Sequence, residues 1–180
     1  EVLVVVIDTL ADAEHETLLN TFALPPSELN IVGGEVSGYH GTVVSALIGS
    51  KLGVGGDWTF GMAPSCHLVS IAGLTQFNNV NSAHHRLEAL NIAIELARSK
   101  RLETSGGPGS IEFNHVIVNC SWKFGESLFD KSDASGSGDV DLISFRTAFR
   151  ELHDAGAIVV CSAGNSGRIV TPHYPSDYDN

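Results

Sequence analysis

Residues 2–7 read Val-Leu-Val-Val-Val-Ile and are followed at once by Asp8 and Thr9. A continuous apolar run, β-branched but for Leu3, suits a strand covered on both faces. Such strands belong to parallel sheets packed between helices. Three later segments, His67 to Ala72, His115 to Asn119 and Ala157 to Cys161, read as further short buried strands. Helical patterns alternate with them. Thr42 to Ile48 is a buried helix of small residues. Ala83 to Lys100 carries Leu87, Leu90, Ile94 and Ala97 at helical spacing, with Ser82 as N-cap, and Leu142 to Asp154 is a second long helix ended by Gly156. The alternation predicts an α/β fold of three layers with a mostly parallel central sheet and right-handed crossovers.

The connections are polar and rich in turn formers. Residues 11–36 contain Pro25-Pro26 and Gly33-Gly34 and read as loop with one turn of helix. Lys51 to Trp58, Thr104 to Ser110 and Ser132 to Gly138 read as loops, the second as a nicking site. The length is that of one domain with a real core. With 21 acidic against 10 basic residues the net charge is −11, and only Lys100-Arg101 are adjacent bases. That balance argues against nucleic acid, which needs a basic surface. No stretch approaches the length of a membrane span. Cys66, Cys120 and Cys161 make neither a disulfide framework nor a C-x-x-C zinc site. The compartment is not legible.

In an open parallel sheet, ligands gather beyond the carboxyl ends of the strands. Asp8, Ser121 and Asn165 each fall just past such an end, so three residues far apart in sequence are expected on one edge. An acid at the end of a buried strand needs a partner. His40 stands 32 positions on (40 − 8), at the start of the small-residue helix, where the helix dipole disfavours an imidazolium unless an acid compensates. Paired with Asp8 it would be held in one tautomer, as a general base for a hydroxyl nucleophile requires. Asn165 lies in Ala163-Gly164-Asn165-Ser166-Gly167, where its amide suits either a developing oxyanion or a turn beside glycines. Asn119-Cys120-Ser121 ends a strand whose backbone can pair with an extended peptide.

Together these segments resemble the subtilisin family of serine proteases. The resemblance rests on Val5-Val6-Ile7-Asp8-Thr9, His40-Gly41-Thr42 with Val44 after it, Gly61-Met62-Ala63-Pro64, Asn119-Cys120-Ser121, Ala163 to Gly167, and Tyr174-Pro175-Ser176-Asp177-Tyr178. Six segments in order cover the chain, and the family's triad order is Asp, His, Ser. The resemblance implies that residues 1–180 are the N-terminal portion of a subtilisin-like catalytic domain, cut before the helix that bears the serine. It implies a serine endopeptidase in which Asp8 orients the base, His40 is the base and Asn165 donates to the oxyanion. Ser121, Ala163 and Gly164 would line a cleft for an extended peptide. No cofactor is implied beyond structural calcium, for which no D-x-D-x-D run names ligands, so no metal residues are assigned.

The chain departs from the family at several points. Leu10 and Tyr39 replace glycines, Val43 replaces a histidine, Ser45-Ala46 replace Ala-Gly, and Lys123-Phe124 sit where small residues shape the pocket. None of the serines follows Gly-Thr, so the nucleophile is expected beyond residue 180, in a longer chain or a second polypeptide. The expected partners are therefore a peptide or protein substrate and a chain bearing that serine, with no nucleic acid and no membrane. Two rival readings stand beside this one. An inactive subtilisin-like domain would bind peptides or partners without cleaving them. A haloacid-dehalogenase-like phosphatase would share Ile7-Asp8-Thr9-Leu10 but needs a carboxylate where Leu10 stands.

Overall fold

The computed structural model describes residues 1–33, 39–51, 61–75, 82–103, 109–122 and 137–165, with backbone alone at 82 and 137–142. In chain order the elements are β1 (Val2–Asp8), α1 (His40–Gly49), β2 (His67–Ala72), α2 (Ser82–Ser99), β3 (Arg101–Glu103), β4 (Ser110–Glu112), β5 (His115–Cys120), α3 (Ser137–Asp154) and β6 (Ala157–Cys161). Two short 3-10 turns, Glu16–Leu18 and Pro26–Leu29, interrupt the segment after β1.

The four apolar runs form one sheet in the order β2-β1-β5-β6, every pair parallel. β1 is thus an inner strand, hydrogen-bonded on both sides and buried on both faces, as its continuous apolar sequence requires. Its residues alternate between two cores. Leu3, Val5 and Ile7 pack with Ala89, Leu90, Ala93 and Ile94 of α2 and with Phe145, Ala148 and Leu152 of α3. Val4 and Val6 face the other way, against Leu68, with Val44 and Ile48 of α1 beside them. The result is the expected three layers, with α1 the one α-helix on its side among the described residues. α1 lies over β1 and β2, and Ile158 and Val160 of β6 stay exposed.

The chain leaves β1 first toward β2 and later returns on the other side to β5. The strand order therefore reverses between β1 and β5, which is where an open parallel sheet forms a crevice at its carboxyl edge. Asp8 ends β1 and Ser121 follows β5, so both flank that crevice.

Three local expectations are corrected. Ser110 is not loop: β3 and β4 form a two-stranded antiparallel ribbon pairing Arg101 with Glu112 and Glu103 with Ser110. Each strand has three residues and only Leu102 is buried among them, too short for a periodic pattern to show. α3 begins at Ser137, five residues before Leu142, so Ser137 and Gly138 are helical despite their loop-like composition. Ser82 is the first residue of α2 rather than a cap outside it.

α1 also starts early, at His40, and Tyr39 offers it no side-chain cap. Its capping acceptor comes from a distant strand end instead: the Gly41 N–H donates to Thr9 Oγ1 at 2.9 Å. Gly41 cannot carry a side chain here, because a Cβ would run into the Thr9 carbonyl oxygen. At the other end of α1, Met62 and Ala63 N–H groups take the carbonyls of Leu47 and Ile48. The Gly61-Met62-Ala63-Pro64 segment is thus a helix stop that satisfies orphan acceptors.

Candidate active site

Asp8 is fully buried, and both of its oxygens are engaged. Oδ1 accepts the Thr9 N–H at 2.7 Å and faces His40 Nδ1 at 2.8 Å, while Oδ2 lies 2.9 Å from the same nitrogen. Burial pushes the Asp8 carboxyl above the usual carboxylate range, and the hydrogen bonds from His40 and Thr9 pull it back. An ionised Asp8 only accepts, so this contact calls for the ring proton on Nδ1 and leaves Nε2 without one. The imidazole is 59% exposed although its partner is not exposed at all. A proton arriving at Nε2 would turn the contact into an ion pair, relieving the cost of a buried charge. The acid thus supplies the compensation that a histidine at a helix start requires.

Two buried threonines hold this corner. Thr9 Oγ1 accepts from Gly41 and so ties the end of β1 to the first turn of α1. Thr42 Oγ1 accepts the Asp12 N–H at 2.9 Å, tying the same turn to the loop that leaves β1. The sequence reading assigned no role to either. Their offsets, 32 positions (41 − 9) and 30 positions (42 − 12), lie outside any local pattern.

The other strand ends are laced to the same edge. Trp122, buried just past β5, donates its Nε1–H to the Ile7 carbonyl at 2.9 Å and so fixes the residue before Asp8. The buried Arg86 guanidinium stands 5.2 Å from the centre of the Trp122 ring. Desolvation lowers its pKa to about 10. Ser162, just past β6, donates its N–H to the Cys120 carbonyl at 3.2 Å and its hydroxyl to the Trp122 carbonyl at 3.4 Å. Ser121 Oγ accepts from Asn119 Nδ2 at 2.9 Å and is half-buried.

Asp8 and His40 are therefore in direct contact. Ser121, Ala163, Gly164 and Asn165 share their sheet edge through the β1-β5-β6 register. Gly164 has φ +84°, a left-handed turn that presents the exposed Asn165. Leu10, where a phosphatase would need its second carboxylate, is a buried apolar residue. Lys123, Phe124, Ser166, Gly167 and the stretch 174–178 lie outside the described residues. Among the described residues no three His, Cys, Asp or Glu side chains cluster to hold a metal ion, and no helix is long and apolar enough to cross a membrane.

The parallel sheet and the acid–histidine contact at its switch point accord with the family that these segments resemble. The chain matches the model of the subtilase family, peptidase S8, over residues 1–180, and belongs to that family. Solved subtilases share its fold. MycP1 with its N-terminal propeptide removed superposes with a TM-score of 0.55 at 20% identity, covering 98% of this chain and 49% of that one. The epidermin leader peptide processing serine protease EpiP from Staphylococcus aureus gives 0.58 at 17%, covering 92% and 37%. The prenylagaramide maturation protease PagA gives 0.55 at 16%, covering 92% and 47%. The chain thus spans half or less of the length of these structures. No curated protein matches the chain.

Proposed function

We propose that this chain is the acid–base half of a subtilisin-type serine endopeptidase. The observation that carries the reading is the His40 Nδ1 contact to both oxygens of a fully buried Asp8, with the ring otherwise open. Asp8 orients the imidazole and stabilises its charged form. His40 Nε2 takes the proton of a serine hydroxyl and returns it to the leaving amine. Asn165 donates its amide to the oxyanion that forms on the scissile carbonyl. Ser121, with Ala163 and Gly164, lines the cleft for an extended peptide, whose backbone adds to strand ends at this edge.

The nucleophile is a serine in a Gly-Thr-Ser motif contributed by polypeptide outside these 180 residues. The single Gly-Thr of the chain, Gly41-Thr42, is followed by Val43. A fluorophosphonate probe tests the reading. In a form that includes the remaining polypeptide, labelling should fall on a serine outside residues 1–180 and should fail in His40→Ala. Labelling that survives His40→Ala, or none at all in the intact form, would overturn it; the latter result would favour an inactive binding domain.

A further inference from the structure

Cys120 and Cys161 are the last residues of adjacent strands and pair directly across the ladder, Cα to Cα. Both belong to the core cluster on the α2–α3 side of the sheet, so both side chains leave the same face. Cys120 is fully buried and Cys161 partly exposed. Each thiol is the largest influence on the other's hold on its proton. Donation toward Cys161 and burial hold the Cys120 thiol well above its ordinary pKa, with the Cys161 and Asp8 charges adding to the effect. The same hydrogen bond draws the Cys161 thiol below its ordinary value against its own burial. One sulfur therefore keeps its proton and the more accessible one gives its proton up more readily. Cys66 packs in the cluster on the opposite face of the sheet, out of reach of both.

We propose that Cys120 and Cys161 are a reversible oxidation site that takes hydrogen peroxide and closes into an interstrand disulfide, disturbing the cleft rim. The Cys161 thiolate attacks the peroxide: an S–O bond forms, the O–O bond breaks, and the departing hydroxide leaves as water with the proton that Cys161 released. The Cys120 sulfur then attacks the sulfenic sulfur. An S–S bond forms, the S–O bond breaks, and the Cys120 proton leaves with the hydroxyl as a second water. Two thiols are oxidised and one peroxide is reduced.

Geometry permits the bridge and makes it labile. Neighbouring strands run about 4.8 Å apart, within the roughly 4.4–6.8 Å between α-carbons that a disulfide spans. Directly paired β-carbons on parallel strands stand near the same separation, a little beyond the roughly 3.5–4.5 Å of a relaxed bridge. Closure thus pulls β5 and β6 together at their carboxyl ends, and a strained bridge is readily reduced. Ser121 follows Cys120 directly, and Asn165 stands four residues past Cys161 (165 − 161). A shift there moves the proposed peptide cleft and oxyanion donor and leaves the Asp8–His40 contact, held by β1 and α1, in place. The effect on cleavage rests on the protease reading; the linkage itself does not.

The test is a peptide map without reductant after hydrogen peroxide treatment, with free thiols alkylated first. The expected result is a Cys120 peptide linked to a Cys161 peptide, Cys66 alkylated, and the link lost on adding a thiol reductant. In a form that cleaves peptides, kcat should fall about tenfold or more, since a misplacement of about 1 Å costs up to ~10²-fold. Reductant should restore it. Cys161→Ala should keep the basal rate and resist peroxide. Free Cys120 with Cys161 oxidised to sulfinic acid, or a link involving Cys66, would overturn the site. A linked enzyme with unchanged kcat would overturn the effect on the cleft. A linked peptide in a form that includes the remaining polypeptide yet never cleaves peptides would uphold the site and sink the protease reading.

Discussion

The Asp8–His40 corner and the Asn165 turn stand on one edge of the sheet and are built by opposite means. The corner is over-determined. Asp8 is buried, Thr9 and Thr42 bind the first turn of α1 to the end of β1 and the loop that leaves it, and Trp122, just past β5, fixes Ile7. The turn is open: Gly164 adopts a left-handed conformation and Asn165 is exposed. A general base must hold one tautomer before substrate arrives, so its geometry belongs to the folded protein. The oxyanion role proposed for Asn165 suits an open turn, since such a donor acts on a charge that exists only during reaction.

The contrast orders the expected effects, all measured in a form that carries the nucleophile unless stated. His40→Ala should cost about 10⁶-fold in kcat, a magnitude established on a subtilisin and carried over here. Asp8→Asn, which leaves an acceptor in place but allows the wrong tautomer, should cost roughly 10⁴-fold. Steady-state kinetics check both, and comparable residual rates in the two variants would break the assignment of separate roles. Asn165→Ala should lower kcat by about 10²–10³-fold with KM little changed, again a magnitude first measured on a subtilisin. A change confined to KM would make Asn165 a substrate contact instead.

Thr9→Val keeps the shape of Thr9 and removes the acceptor for Gly41. It leaves a buried N–H unpaired and should destabilise the chain by about 1–3 kcal/mol in urea unfolding. An unchanged midpoint would show that the corner does not depend on this tie. The smallest effect concerns pH. Burial raises the Asp8 pKa, so the folded state binds more protons than the unfolded chain. Asp8 thus contributes stability only at acid pH, and the contribution is lost as pH rises through its raised folded value. Asp8→Asn should therefore melt slightly higher than wild type near neutral pH, and the gap should close on acidification. Scanning calorimetry at the two pH values checks the sign.

Much of this was legible in the sequence, for a physical reason. Strands covered on both faces must be continuously apolar, so β1 was recognisable, and so was the polar residue at its end. The resemblance of His40-Gly41-Thr42 to a family motif then supplied the partner. What was not legible depends on tertiary contacts. The cap of α1 comes from Thr9, distant in sequence, so the helix starts at His40 rather than Thr42. Trp122 showed no pattern because its partner is a backbone carbonyl 115 positions away (122 − 7). The β3–β4 ribbon was lost because three-residue strands with one buried side chain leave no periodicity. The cysteine pair needed the β5–β6 register, which aligns Cys120 with Cys161.

The proposed chemistry requires Asp8 to hold His40 with the proton on Nδ1 and Nε2 free to act as base, and this can be tested on this chain alone. Nitrogen-resolved NMR of the neutral His40 ring reports which nitrogen carries the hydrogen. A protonated Nδ1, a bare Nε2, and loss of that preference in Asp8→Ala are expected. A proton found on Nε2, or a tautomer indifferent to the loss of Asp8, would contradict it.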